Sequence, residues 1–315
     1  MLSIGIITTA LEVGLVYALV ALSLFVSFTI LDICDLSTDG CYTLGCAVGA
    51  MVTIAGHPLL AVLLAMLAGV CSGLVTATLQ TRFGVQSILA GIIVNTGLYT
   101  VDLAVMGFSS NVSIFGKDTV FSLFAGLLPF EGWSAWSDLV LLALVVGLVS
   151  LGLWRFLKTR LGLSIRATGD SPAMVRASSI NPAFMITVGL CLSGALTALA
   201  GCLIGQFNKT CDINLGTGMV TVALASLVIG ESLVRRERPM LARILGVVLG
   251  SCLYRLFIAL ALRMHVPTEA FKLVSAVIVA VAIVLPKVRE LYAQRKARQA
   301  AIALRASQAS QGGER

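Results

Sequence analysis

Long apolar runs separated by short polar breaks occupy most of this chain. A helix needs about 20 predominantly apolar residues to cross a bilayer, and several runs reach or approach that length. They lie near residues 4–29, 40–56, 58–81, 85–107, 137–157, 184–206, 219–234, 240–262 and 269–286. The pattern predicts an all-α polytopic membrane protein with about nine transmembrane helices. Two of the runs, 40–56 and 219–234, are short for a straight crossing.

The composition excludes a water-soluble globular protein. Hydrophobic residues make up 58% of the 315 residues and charged residues only 12%, whereas a soluble domain carries about 25% charged residues. The mean hydropathy is +1.00. The eight cysteines form no Cys-x-x-Cys pair, and no histidine lies within ligand spacing of them. Neither a metal site nor a disulfide framework is therefore expected.

The basic residues predict an orientation, because Lys and Arg concentrate in the cytoplasmic loops of membrane proteins. With a cytoplasmic C-terminal tail, 17 of the 22 Lys and Arg residues face the cytoplasm. We therefore predict an outside N-terminus and a cytoplasmic C-terminus. The membrane domain covers residues 1–286, and a basic cytoplasmic tail covers 287–315. The net charge of +7 is gathered in loops and tail, which fits a lipid bilayer as partner and excludes nucleic acid.

Similar polar segments precede the two short spans. Cys34-Asp35 opens one segment and Cys211-Asp212 opens the other, and each continues through polar residues and Gly into a small-residue run. In the predicted topology they enter from opposite sides, as the halves of an inverted repeat do in transporters. Non-helical backbone at membrane depth is tolerated where it is buried in protein or lines a watery cavity. We expect both breaks to flank a translocation route; the alternative is a chance match of two ordinary polar loops.

Ionisable residues inside the predicted spans are functional candidates, because a charge in the bilayer is costly. Asp102 shares a helix face with Asn95, seven residues earlier, and Arg255 lies mid-way along the eighth span. We expect Arg255 to pair with a buried carboxylate, with Asp102 as the first choice. The alternative is that such charges, Arg255 and Glu12 among them, only hold helices together. The candidate residues of the route are Asp35, Ser37, Asn95, Asp102, Asp212 and Asn214.

The long inner loop, 158–183, contains a predicted short helix. Asp170 or Ser171 can cap its N-terminus, and Pro172 suits its first position. The helix would carry apolar residues from Ala173 to Ile180, and Asn181-Pro182 would end it before the next span. A short, mildly apolar helix on the cytoplasmic side suits docking to a soluble partner.

The chain lacks the Gly-x-x-x-x-Gly-Lys-Ser/Thr loop that binds nucleotide phosphates. No catalytic motif is visible either, so we expect a transport subunit that is not an enzyme and holds no cofactor. Energy from ATP would have to come from another chain. The alternative class is an ion-coupled secondary transporter of a small polar solute, and a membrane scaffold or channel is a third.

Several stretches resemble a known family. The stretch from Arg166 to Asn181, with Gly169-Asp170 and Pro172, resembles the cytoplasmic coupling segment of ABC permeases for branched-chain amino acids and ribose. Asp35-Leu36-Ser37 is similar to the broken second-helix region of that superfamily. The nearest resemblance is to an uncharacterised permease branch associated with tryptophan and tyrosine uptake. The supporting stretches are 31–40, 89–93 with 98–99, 229–231, 254–263, 267–269 and 272–273.

The resemblance implies a subunit of a binding-protein-dependent ABC importer in the bacterial cell membrane, with an aromatic amino acid as the favoured substrate. It implies a second permease chain in a homodimer, two cytoplasmic ATPase subunits that bind the ATP, and an extracytoplasmic substrate-binding protein. Segment 166–181 would insert into a groove of the ATPase, with Glu231 bordering the same contact. The implied coupling residues are Arg166, Asp170, Pro172, Met174, Arg176, Ile180, Asn181 and Glu231.

Overall fold

The computed structural model describes residues 4–126, 136–234 and 238–263, together with residues 280 and 284. The described residues form eleven α-helices and two short β-strands. The helices are α1 (Ile4–Leu24, continued by a π-helical segment Phe25–Ile30), α2 (Thr38–Ile54), α3 (Pro58–Thr81), α4 (Ser87–Val105), α5 (Val120–Ala125), α6 (Ser137–Lys158), α7 (Arg160–Asp170), α8 (Pro172–Ala177), α9 (Pro182–Asn208), α10 (Met219–Leu233) and α11 (Met240–Arg263). The strands are β1 (Asn111–Ser113) and β2 (Thr210–Asp212).

The helices confirm an all-α polytopic membrane protein. Six described helices are long and apolar enough to cross a membrane, and α10 is a shorter apolar helix. Helix α2, with 17 residues, is the other short element that the sequence predicts. Apart from residues 280 and 284, the ninth predicted span, 269–286, lies outside the described residues, and so does the tail, 287–315. The orientation of the termini stays a prediction.

Helix α9 lies at the centre of the bundle, in contact with α1, α2 and α3. Small residues let the backbones approach closely, as is usual between membrane helices. A Cβ added at Gly45 of α2 would overlap the backbone of Ala198 on α9, and Gly69 of α3 meets Gly194 of α9 in the same way. The glycines here are therefore required by packing.

Buried hydroxyl groups join α1 to α9 near the π-helical segment. The Ser193 hydroxyl donates to the Ser23 carbonyl oxygen at 3.1 Å, and the Thr197 hydroxyl donates to the Ser23 hydroxyl oxygen at 2.7 Å. Such bonds between helices contribute roughly 0.6–2 kcal/mol each in membrane proteins. They fix α1 against the central helix.

The ends of several helices meet at the C-terminus of α9. Strands β1 and β2 pair antiparallel there, with Asn111 opposite Asp212. Gln206 of α9 is buried, and its Oε1 accepts a hydrogen bond from the Val120 N–H at 2.9 Å, while its Nε2 donates to the Pro58 carbonyl at 3.4 Å. One side chain thus joins the N-termini of α3 and α5 to α9. The predicted spans leave residues 108–136 without an assigned element, so β1 and α5 are additions from the structure.

Candidate functional site

The two polar breaks identified in the sequence meet inside the bundle. Asp39 lies in the first turn of α2, and its carboxylate faces the N-terminus of α10. The Gly218 N–H donates to Oδ2 at 3.0 Å, and the Val220 N–H donates to Oδ1 at 2.8 Å. The first N–H groups of a helix lack partners within the helix and carry partial positive charge. A carboxylate from one broken segment therefore caps the helix that follows the other.

A second contact holds this junction together. The Gly216 N–H donates to the Thr43 hydroxyl oxygen at 3.2 Å, one turn further along α2. A Cβ at Gly216 would overlap the carbonyl oxygen of Asp39, so only glycine allows the two backbones this close. The junction of α2 and α10 depends on Asp39, Thr43 and Gly216 together.

A polar cavity of about 290 Å³ opens beside the junction. Three residues predicted for the route line it: Asn95 and Asp102 of α4, and Asn214 of the segment before α10. The full lining is Asp39, Gly40, Thr43, Asn95, Thr96, Tyr99, Asp102, Ile213, Asn214, Gly216 and Thr217. Sequence reasoning missed Asp39 and Thr43, although Asp39 stands in the same polar segment as Asp35.

The other three predicted route residues do not line this cavity. The Asp35 carboxylate is buried and accepts hydrogen bonds from the Ser37 N–H at 2.9 Å and the Ser37 hydroxyl at 2.6 Å. The Thr76 hydroxyl of α3 donates to the Ser37 hydroxyl oxygen at 3.3 Å. Asp212 accepts from the Asn214 N–H at 2.8 Å at the end of β2. In the structure these residues form hydrogen bonds within the two breaks, outside the cavity lining.

The predicted ion pair between Arg255 and Asp102 is wrong. The Arg255 guanidinium lies over the Tyr17 ring of α1, with Cζ 3.9 Å from the ring centroid. The reason lies in the packing: α11 contacts α1 and α10, whereas α4 contacts α2 and α3. Within the described part of the chain, the one ion pair joins Glu231 of α10 to Arg243 of α11 at 3.1 Å.

The charged residues Asp102 and Glu12 are both buried. Asp102 is 1% exposed, and its Oδ1 has no hydrogen-bond partner among the described residues. Glu12 of α1 is 8% exposed and forms no ion pair in the ranges that the structure describes. Of these two residues, only Asp102 belongs to the lining of the polar cavity.

The inner loop folds into two helices where the sequence predicts one. Helix α7 precedes α8, and the Ser171 hydroxyl oxygen accepts from the Met174 N–H at 3.4 Å at the start of α8. Pro172 is the first residue of α8, as predicted, and Asn181 caps α9 by accepting from the Ala183 N–H at 3.0 Å. Ile180 is not part of the helix, which is a correction: α8 ends at Ala177.

The predicted coupling residues differ in exposure. Met174 is 72% exposed, and Asp170, Pro172, Arg176 and Asn181 are exposed as well. Val175 is buried and holds α8 to the bundle. Arg166 is half-buried, and Ile180 is half-buried against the main core, since the chain turns at Ser179 with a positive φ of 60°. Glu231 pairs with Arg243, whose guanidinium lies 5.2 Å from the ring centroid of Phe25.

Helix α7 contacts the end of the first span directly. A Cβ at Gly169 would overlap the carbonyl oxygen of Ile30, the last π-helical residue. Leu31 follows and leads into the break that precedes α2. The inner loop is therefore in backbone contact with the end of the first span, where the break before α2 begins.

The sequence and its relatives place these features in context. The profile of the family described as the permease component of branched-chain amino acid transport systems matches residues 6–283. A tyrosine transport system permease protein from Clostridioides difficile is 32% identical over 276 residues, covering 87% of this chain and 89% of that protein. An uncharacterised protein from Rickettsia prowazekii is 31% identical over 272 residues, covering 85% and 92%. The ribose import permease protein of Escherichia coli K12 is 30% identical over 227 residues, covering 69% and 65%. No solved structure matches.

Proposed function

This chain belongs to the family of permease components of branched-chain amino acid transport systems, and we propose that it is the transmembrane subunit of an ABC importer for an amino acid, with an aromatic amino acid favoured. One observation carries the choice of substrate: a tyrosine transport permease shares 32% identity across 87% of this chain. The family itself establishes a multi-pass transport component of the membrane.

The polar cavity supports a route beside the α2–α10 junction. Transporters place substrate sites where broken helices meet near the middle of the membrane. The cavity, at about 290 Å³, has the size of a site for one small solute. Its lining of carboxylates, amides and hydroxyl groups suits a polar metabolite rather than lipid.

Partner subunits complete the proposal. Two cytoplasmic ATPase chains would supply ATP hydrolysis, because this sequence lacks a phosphate-binding loop. Helices α7 and α8 offer the docking surface, with Met174 and Arg176 exposed and Val175 anchoring α8. A second permease chain, most simply an identical copy, and an extracytoplasmic substrate-binding protein belong to the same assembly. The N-terminus is outside and the C-terminus cytoplasmic in this proposal.

The Gly169–Ile30 contact supports a path from docking to transport. Movement of α7 on nucleotide binding would reach the break before α2 and then Asp39 at the junction. The junction of α2 and α10 would be the element that switches between two states, because it is held by the three hydrogen bonds described above.

A second function has one specific observation in its favour. The unpartnered oxygen of Asp102 suits a site for H⁺ or Na⁺, so an ion-coupled secondary transporter is the competing proposal. It requires no ATPase.

Capture of an ATPase separates the two proposals. The chain would be purified in detergent with candidate ATPases from the same genome, and ATPase turnover would be followed after reconstitution. Met174→Asp should abolish capture. Phe83→Asp is the matched control, because Phe83 is 75% exposed and lies in the turn between α3 and α4.

The outcomes are distinct. Capture by the wild type and by Phe83→Asp, lost in a folded Met174→Asp variant, supports the importer and its docking helix. Met174→Asp is a cleaner probe than a change at Ile180, which packs on the core. If no ATPase binds the wild type, the importer proposal fails and uptake driven by ion gradients becomes the next test.

A further inference from the structure

Asp102 is a buried carboxyl residue in the lining of the polar cavity. Its Oδ1 is fully buried and accepts no hydrogen bond from the described residues, although the residue lines the polar cavity. Leaving a buried carboxylate without a partner is strongly unfavourable. Arg255, the cation that the sequence suggests for it, is stacked on Tyr17 instead. A partner from outside the chain would satisfy Asp102.

The rest of the lining favours a cation as that partner. Asp39 adds a second carboxylate, and the described residues that line the cavity include no Lys, Arg or His. The positive N-terminus of α10 is already occupied by Asp39, through the Gly218 and Val220 N–H groups. Of the two carboxylates in the lining, Asp102 is therefore the one whose charge has no partner among the described residues.

Neutral hydrogen-bonding groups stand next to this charge. Asn95 lies seven residues before Asp102, on the same face of α4, and both line the cavity. Asn214 approaches from the segment before α10. A side-chain amide can donate hydrogen bonds to a carboxylate. A zwitterion thus finds acceptors for its ammonium group and donors for its carboxylate in one cavity.

We propose that Asp102 is the counter-ion that binds the ammonium group of the transported amino acid, with the Asn95 and Asn214 amides beside it for the carboxylate. This inference rests on the proposed function and adds a residue and a chemical group to it. An inorganic monovalent cation carries the same positive charge as an ammonium group and is the competing ligand. The cavity volume of about 290 Å³ suits an organic solute, whereas a bare ion fills far less space.

A charged thiol reagent tests the cavity without knowledge of the transporter's partners. Thr217→Cys places a reporter in the lining at an exposed position. The full chain in lipid nanodiscs is labelled with methanethiosulfonate ethylammonium or with the sulfonate analogue of that reagent. The rate at position 217 is read by mass spectrometry of its peptide, so labelling of the native cysteines does not interfere.

The expected result is a preference for the ammonium reagent that depends on Asp102. Asp102→Asn should lower the ratio of the two rates roughly 10-fold, because a nearby charge in a protein cavity acts through a low effective dielectric. Asp102→Glu should retain the preference, which also guards against a folding defect. The matched control is Asp118→Asn, which removes an exposed carboxylate outside the cavity. An unchanged ratio in a folded Asp102→Asn variant overturns the proposal.

Competition identifies the source of the positive charge. L-tyrosine and tyramine should slow labelling by the ammonium reagent, and 3-(4-hydroxyphenyl)propionate, which lacks the amine, should not. Protection by Na⁺ without protection by either amine overturns the amine assignment. So does a failure of L-tyrosine, tyramine and L-leucine alike. The labelling rates are measured without an ATPase. A failure of the Asp102 proposal is therefore distinguishable from a failure of the proposed importer function, which ATPase capture tests.

Discussion

The contact between α2 and α9 differs from the contact between α2 and α10. Against α9, α2 presents glycines and other small residues, and backbone meets backbone over several turns. Against α10, α2 presents Asp39 and Thr43, and the two helix ends meet through three hydrogen bonds beside a polar cavity. One helix is thus fixed along its length by packing and joined at its start by polar bonds. The first contact depends on close packing of backbones, whereas the second depends on hydrogen bonds.

The largest effect should come from filling the packed contact. Gly45→Val would push side-chain atoms into the Ala198 backbone and should destabilise the protein by about 3 kcal/mol or more. We expect loss of the monodisperse peak in size-exclusion chromatography. Gly97→Val is the matched control, since a Cβ at Gly97 meets nothing within 4 Å. Equal yields of the two variants would contradict the packing argument.

Removing the polar bonds should have the next largest effect. Asp39→Ala leaves the Gly218 and Val220 N–H groups without acceptors, at a cost of about 3 kcal/mol. Thermal unfolding in detergent measures the loss, and uptake should fall with it. Asp39→Asn keeps one acceptor and should lose less. Asp118→Ala should leave the melting temperature unchanged, because Asp118 is exposed.

A substitution at Arg255, which lies away from both contacts of α2, should have a smaller effect on stability. Arg255→Gln removes the cation from the Tyr17 ring and should destabilise the fold by about 1 kcal/mol. In a double-mutant cycle with Asp102→Asn, the two effects should add. A large coupling energy would instead indicate that Arg255 and Asp102 interact, which would contradict the structure.

The smallest change in stability is expected at Asp102. Asp102→Asn removes an unpartnered buried charge, so the melting temperature should stay the same or rise slightly. Uptake should nevertheless be lost, since the variant lacks the counter-ion. Comparison with Asp39→Ala then separates a structural carboxylate from a ligand-binding one. Retained uptake by Asp102→Asn would remove that distinction.

Local sequence signals predict much of the fold. Apolar runs give the long spans, and Asn181-Pro182 marks the start of α9 because capping and the fixed φ of proline act within a few residues. Ser171 and Pro172 place the start of α8 for the same reason. Helix α7 is not predicted, because its segment contains Gly162 and Gly169, which disfavour a helix locally.

The site is predicted only in part, because its contacts join distant segments. The repeated Cys-Asp pattern points to both breaks, and Asn95, Asp102 and Asn214 do line one cavity. The same pattern draws attention to Asp35, whereas the carboxylate that reaches α10 is Asp39. The partner of Arg255 depends on which helices are neighbours, and no local pattern contains that information.

The contact at Gly169 has a mechanical consequence. Backbone lies against backbone where α7 touches Ile30, with no flexible side chain between them to absorb a displacement. A displacement of α7 at this point should therefore be passed directly to the end of the first span. Any residue larger than glycine at this position would hold the two backbones apart. If the chain is the proposed importer subunit, a Gly169→Ala variant should still capture an ATPase but hydrolyse ATP without uptake of solute.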